Sequence, residues 1–257
     1  MRMKNQSMTA LKHRWASIKE KHDTDTFKHI PVPVIYTQSI ENAECVADEL
    51  SDFLYERGIL RKASGHQDSY LPHTVPYTPL ADSVFTGILD LKDHIREAGR
   101  CNGAYRGIIL IDVTEWMGHC GEKYFDMLLS YLSNQHTKGI LPFFYVKHRE
   151  FNPENKILEA VVSLYFKSAR IVFDESDLSS LMMDLLEKKG IKLEENAVCC
   201  LEQFLRIISG SDLFHGVDSI RQICEDIAWQ YQTEKQTATV DVRLLNNLFA
   251  ESGYNGF

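Results

Sequence analysis

Asp112 closes the run Gly107-Ile108-Ile109-Leu110-Ile111-Asp112, the pattern of a buried strand ending in a carboxylate. With Glu115 and the basic trio at 147–149 it could form a rearranged, ligand-responsive site; its simplest role is to cap the helix or loop that follows. Glu115 lies two residues past Val113, and strand alternation would point the two the same way. Lys147-His148-Arg149 follows a second apolar run and forms a basic spot able to hold an anion. His66, Asp68, Tyr70 and His73 make a polar, aromatic cluster on a long loop, a setting that often carries binding. His119 and Cys120, with Cys101 upstream, are metal-ligating types, but their spacing matches no zinc pattern and no metal site is expected. The 6 cysteines (Cys45, Cys101, Cys120, Cys199, Cys200 and Cys224) form no C-x-x-C pair and read as free thiols of a reducing compartment. No local signature pairs any of them with one of the 10 histidines for nucleophilic catalysis.

The elements that must position these residues alternate. Residues 1–28 read as a polar helical arm with few large apolar anchors (Leu11, Trp15 and Ile18). Val32–Tyr36 suits a buried strand, with Pro31 and Pro33 tolerable only at its start. Residues 40–57 switch to helical spacing, with Val46, Ala47, Leu50, Phe53 and Leu54 on one face and Gly58 as the stop. Residues 61–79, with three prolines, read as loop, and 80–95 as a second amphipathic helix. Strands at 107–112, 140–146 and 169–173 alternate with helices at 121–134 and 154–165. This order argues for a mainly parallel sheet covered on both faces. Beyond 175 the pattern is all helical, with Gly190 stopping the first helix and further helices at 194–208, 217–232 and 241–250. The expected organisation is a helical arm (1–28), an α/β domain (29–175) and a helical domain (176–257).

The bulk numbers exclude several classes. The 257 residues are 44% hydrophobic and 25% charged, an ordinary globular composition that buries a core without staples. A formal charge of −8, from 36 acidic against 28 basic side chains, disfavours a nucleic-acid partner. No apolar run reaches the length of a membrane-spanning helix, and the charged start lacks the apolar stretch of a secretory leader, so a cytoplasmic protein is expected.

An α/β half followed by a small helical bundle resembles the AAA+ ATPase module. The strand at 32–36, the helix at 43–57 and the phrase Tyr55-Glu56-Arg57-Gly58-Ile59-Leu60 resemble the branch that holds the stage V sporulation protein K-like and red-type rubisco activase-like ATPases. Gly107–Asp112 resembles its Walker B strand, and Lys188-Lys189-Gly190-Ile191-Lys192-Leu193 the start of its lid. The resemblance spans roughly residues 30–250. It implies a P-loop-NTPase-like, mainly parallel sheet with helices on both faces and a small all-helical lid.

The departures from that pattern bear on function. Aligning Val46-Ala47 with the family's "V-A" sets Ala43 where the phosphate-loop lysine would be and Glu44 where its threonine would be. No glycine precedes Gly58, and no Gly-Lys dipeptide occurs in the chain. A phosphate loop needs glycines so that backbone amides can wrap the phosphates, a lysine for charge and a hydroxyl for magnesium. Glu41 and Glu44 at the helix start are expected to answer the helix dipole in place of phosphate. Asp112 matches the Walker B aspartate, but Val113 stands where the catalytic glutamate belongs. The arginine-finger segment maps onto Val162–Phe166 without arginine, and the lid's sensing arginine becomes Asp218, with Arg221 kept.

The expectation is therefore a catalytically inactive AAA+-like protein, an adaptor or structural subunit without cofactor or membrane. Its partner would be a protein, either itself or an active AAA+ relative. The alternative is a nucleotide- or ligand-responsive enzyme with a rearranged site around Asp112. Tyr70, Leu71 and Tyr77 on the 66–79 loop, and Tyr165 and Phe166 in the finger segment, are the expected interaction residues.

Overall fold

The computed structural model describes residues 5–22, 26–60, 74–77, 93, 107–117, 120, 123–137, 139–147, 153–173, 175–209, 214–234 and 239–251. The chain divides into two units, Asn5–Phe173 and Asp174–Phe257. Apart from Asp93, which is helical, the helix expected at 80–95 lies outside the described residues.

The first unit is a five-stranded parallel sheet in the order β2-β3-β4-β1-β5. Its strands are β1 (Val32–Thr37), β2 (Thr74–Tyr77), β3 (Gly107–Asp112), β4 (Ile140–Lys147) and β5 (Ser168–Val172). The inner strands are continuous apolar runs because helices cover both faces; all six residues of β1 and the first seven of β4 are buried. The prolines sit where the ladder can spare a donor. Val32 gives its amide to Lys167 on the β5 side, so Pro33 turns toward β4, where pairing begins only at Val34.

Residues 74–77, expected as loop, form the edge strand β2, paired with β3 from Thr74–Ile108 to Tyr77–Ile111. Pro76 explains both facts: it breaks a strand pattern in sequence, and it is tolerated at the edge of a sheet.

Among the described residues, two helix pairs flank the sheet. Phe143 and Phe144 are neighbours in β4 and point to opposite faces. Trp15 of α1 (Gln6–Lys21) stacks on Phe143 with centroids 6.3 Å apart and also approaches Phe53 of α3 (Ile40–Glu56) at 6.5 Å. The short α2 (Thr26–His29) links α1 to β1. On the other face, Phe144 meets Phe166 edge-on at 5.7 Å, beside α4 (Lys123–His136) and α5 (Pro153–Tyr165).

The N-terminal helix is tied in at several points. Trp15 is fully buried and its indole N–H donates to the Pro31 carbonyl at 3.0 Å. Lys12 meets the buried Glu49 of α3 at 2.6 Å. Asn5 caps the helix, accepting the Met8 amide at 3.0 Å, while its Nδ2 donates to the Val172 carbonyl of β5 at 2.7 Å.

The second unit contains α6 (Glu175–Lys188), α7 (Glu195–Ile208), α8 (Val217–Glu234) and α9 (Val242–Glu251). Its core is built from Leu181, Met182, Leu201, Ile223, Ile227 and Leu245. Gly190 ends α6 in the left-handed region (φ +73°), which lets the Ile191 amide reach back to Leu186 at 3.0 Å. A parallel bridge then joins Leu193 to Val240, fixed by Val240 N–H to the Lys192 carbonyl at 2.8 Å and Glu194 N–H to the Val240 carbonyl at 3.1 Å. Cys224 lies in this core, and burial pushes its thiol up to about 12.

Candidate functional site

In open parallel sheets, ligands bind beyond the carboxyl ends of the strands, where the chain leaves in opposite directions from neighbouring strands. Here that place lies beyond β1, β3 and β4. The connection from β1 to α3 is Gln38-Ser39 alone. Ser39 is extended (φ −140°, ψ 158°) and its hydroxyl accepts the Asn42 amide at 3.3 Å, a serine N-cap. Asn42 reaches back across the turn and donates through Nδ2 to the Thr37 hydroxyl at 3.1 Å; both side chains are buried. The turn is thus cinched at its base by its own side chains.

The helix start differs from the expectation of carboxylates standing in for phosphate. The first donors are met by Ser39, because a hydroxyl directly before the helix is nearer to those amides than a glutamate within it. Glu41 lies in the first turn and adds charge, while Glu44 is half-buried further along. Ala43 is fully buried.

Beyond β3, the half-buried Asp112 accepts the Thr114 amide through Oδ1 at 2.9 Å. The Thr114 hydroxyl accepts the Lys147 amide at 2.8 Å, tying this turn to the end of β4. Val113 is buried and extends the ladder by donating to the Tyr145 carbonyl at 2.9 Å. Glu115 is exposed.

Tyr145 was hidden in an apolar run, and nothing in the residue pattern singles it out. It pairs in register with Asp112 across β3 and β4, so both side chains leave the same face. Burial first, then the carboxylates of Asp112 and Glu41, hold its hydroxyl proton well above the usual phenol range. A second tyrosine, Tyr36, lies on the other face of the sheet. Its ring carries the Arg170 guanidinium at 5.0 Å, and Arg170 Nε lies 3.6 Å from Glu159 Oε1. Burial and then Glu159 raise its pKa, partly opposed by Arg170.

The remaining expected residues are scattered. Asp218 belongs to the second unit, exposed in the first turn of α8, where it accepts Arg221 at 2.8 Å. Phe166, expected at an interaction surface, is instead a core residue between His136 and Phe144, because a large ring beside β4 fills the space under α4. Tyr165 is half-buried. Tyr77 pairs through its backbone with Ile111, and its side chain lies outside the described residues. Tyr70, Leu71, His66, Asp68, His73, Cys101, His119, His148 and Arg149 also lie outside them. Cys120 is half-buried, its sulfur 3.9 Å from the Trp116 carbonyl.

No protein-family model matches the chain, and no curated protein matches it in sequence. Solved structures do match in fold. The ORC1 protein of Aeropyrum pernix, solved in complex with DNA, overlays with a TM-score of 0.53 at 12% identity, over 95% of this chain and 65% of that one. Domain III of the Thermotoga maritima replication initiation protein DnaA gives a TM-score of 0.47 at 12% identity, over 97% of this chain and 94% of that one. This is an AAA+-type fold. The parallel α/β sheet and the helical C-terminal region carry that assignment.

Proposed function

We propose that the chain is a nucleotide-independent AAA+-type module, a pseudo-ATPase kept for contact with other proteins. The two-residue turn Gln38-Ser39 carries this reading. Phosphate binding at this point of the fold needs an arc of backbone amides around the anion. Two residues give no arc, and the Asn42–Thr37 clasp spans the place it would occupy. Val113, buried and apolar beside Asp112, supplies no carboxylate to activate water. The descent of these features from the stage V sporulation protein K-like and rubisco activase-like branch belongs to the same proposal.

The partner is a second copy or an active AAA+ relative. A helix face that is apolar yet exposed supports this: Ile157, Ala160 and Leu164 recur at helical spacing on α5, with Ile157 52% and Leu164 76% exposed. The DNA of the ORC1 complex is not carried over, since this chain bears a formal charge of −8. Among the described residues no helix is long and apolar enough to cross a membrane, in keeping with a cytoplasmic role.

Calorimetry with ATP and ADP, each with magnesium, tests the reading. The expected result is no heat of binding at millimolar nucleotide. A stoichiometric site with a dissociation constant below about 100 μM overturns it.

A further inference from the structure

The outward face of α5 differs in charge from the rest of the chain. Ile157 and Leu164, about two turns apart with the exposed Ala160 between them, form an apolar stripe. Leu164 is the most exposed large apolar side chain among the described residues. Lys156 stands directly before the stripe and Lys167 follows it, both exposed. Arg170 of β5 joins the same surface. Its register with Val34, and that of Val34 with Phe144, sends its side chain to the sheet face that α4 and α5 cover. There Arg170 Nε lies 3.6 Å from Glu159, which is half-buried. From Lys156 to Val172 every exposed charge among the described residues is therefore positive, in a chain of formal charge −8.

Apolar side chains grouped in water mark a contact surface, and a stripe at helical spacing packs best against the ridges of another helix. The charges select that helix. Pairing this face with itself across a two-fold axis offers Lys156, Lys167 and Arg170 no exposed carboxylate among the described residues of the face. An anionic bilayer meets too few cations here, since membrane-bound basic segments carry about 4–8, and the net charge of the chain opposes it. A helix with apolar residues at its middle and carboxylates at both ends complements the face along its length. We infer that α5 docks an acidic amphipathic helix of another protein. Ile157 and Leu164 bury the apolar middle of that helix, and Lys156 and Lys167 meet its carboxylates at either end. The inference rests on the reading of this face as a protein contact and narrows the partner by its chemistry.

The test is fluorescence anisotropy of two labelled helical peptides of about fourteen residues, each titrated with the full chain. Both carry leucine at i, i+3 and i+7; one has glutamates at both ends, the other lysines. Saturable binding of the glutamate peptide, weakened by salt and absent for the lysine peptide, is expected. Lys156→Glu combined with Lys167→Glu should weaken it about ten-fold, and Leu164→Ala, which changes no charge, about five-fold. Melting midpoints should hold, because all three side chains are exposed. Equal binding of the two peptides, no saturable binding of the glutamate peptide, or unchanged affinity in the double charge reversal overturns the inference. So does association of the chain with itself, or with anionic vesicles, that Leu164→Glu abolishes, since either assigns the face to a different occupant. Magnesium-ATP is titrated in parallel by calorimetry. Binding there overturns the nucleotide-independent reading whatever the peptides do; without it, a failed peptide titration removes only the acidic helix.

Discussion

The Asn5 side chain holds two elements at once: its Oδ1 caps α1 through the Met8 amide at 3.0 Å, and its Nδ2 donates to the Val172 carbonyl at 2.7 Å. β5 is an edge strand, and an open edge invites pairing with other chains. Asn5 occupies one of its carbonyls and sets α1 beside it. Asn5→Ala should cost about 1–3 kcal/mol, the sum of a lost cap and a lost buried hydrogen bond. Asn5→Asp keeps the cap acceptor but not the donor, and should fall between the two. Urea denaturation of the three proteins checks the order; equal midpoints for wild type and Asn5→Ala would falsify it.

The turn at 38–39 makes a sharper prediction about engineering than the missing lysine alone. Ala43 is fully buried. Ala43→Lys therefore places an ammonium in an apolar site, and should destabilise the protein by about 3 kcal/mol or more while creating no ATPase activity. Thermal unfolding and a phosphate-release assay test the two halves. Magnesium-dependent turnover in this single variant would show that the closed turn is not the obstacle.

Ser39 and Glu41 can be separated experimentally. Ser39→Ala removes the side chain that accepts the Asn42 amide, and should lower stability by about 1 kcal/mol with little dependence on salt. Glu41→Gln removes only charge near the helix dipole, with an effect of about 0.3–1 kcal/mol that shrinks as salt rises. Denaturation at low and high salt distinguishes them, and a strongly salt-dependent loss in Ser39→Ala would count against the cap.

Assembly should respond to the surface of α5 and folding to its neighbour. Leu164→Glu changes an exposed residue and should leave stability within about 0.5 kcal/mol, while weakening self-association or partner capture. Tyr165→Ala should also weaken assembly more than folding. Phe166→Ala opens the core and should cost about 3–5 kcal/mol. Light scattering and a native pull-down, read beside each melting midpoint, test this. A strict monomer with no retrievable partner defeats it.

Tyr145 and Tyr36 give the protein an alkaline weakness. Both hold their protons above the ordinary value of 10.0. Above about pH 10 the unfolded chain releases those protons while the folded chain keeps them, so the unfolded state gains. Stability is whole below that point and should fall as pH rises past it, by at most about 1.4 kcal/mol per pH unit for each tyrosine. Tyr145→Phe should remove its share of the slope. Denaturant midpoints between pH 9 and about 11.5 provide the measurement, and an unchanged slope in Tyr145→Phe would exclude Tyr145 as a source.

What the residue pattern made legible were the elements whose periodicity is strong. The runs at 32–36, 107–112 and 140–146 are too apolar to be anything but buried, and the Leu and Ile stripes of the helical half speak as plainly. β2 was not legible, because Pro76 and its neighbouring prolines look like loop until an edge position is known. Phe166 looked like a surface ring because the register assigned it to a contact segment, and only the packing of Phe144 and His136 shows the space it fills. Asp112 could be found because a lone carboxylate after five uncharged residues stands out. Tyr145 could not: one phenol among aromatic and aliphatic neighbours gives no signal, and its importance comes from two carboxylates that are distant in sequence.

The position of β1 has a consequence for biosynthesis. Among the described strands of this sheet it comes first in the chain, yet both of its neighbours come late: Val34 pairs with Phe144 on one side and Arg170 on the other. At translation rates of about 5–20 residues per second, the centre of the sheet waits on the order of ten seconds for its partners. During that interval a strand that is wholly buried in the folded protein has neither neighbour. The nascent chain is therefore most vulnerable to clumping before β4 emerges, and a chaperone that holds the segment around β1 should raise its yield more than one that acts on the released protein.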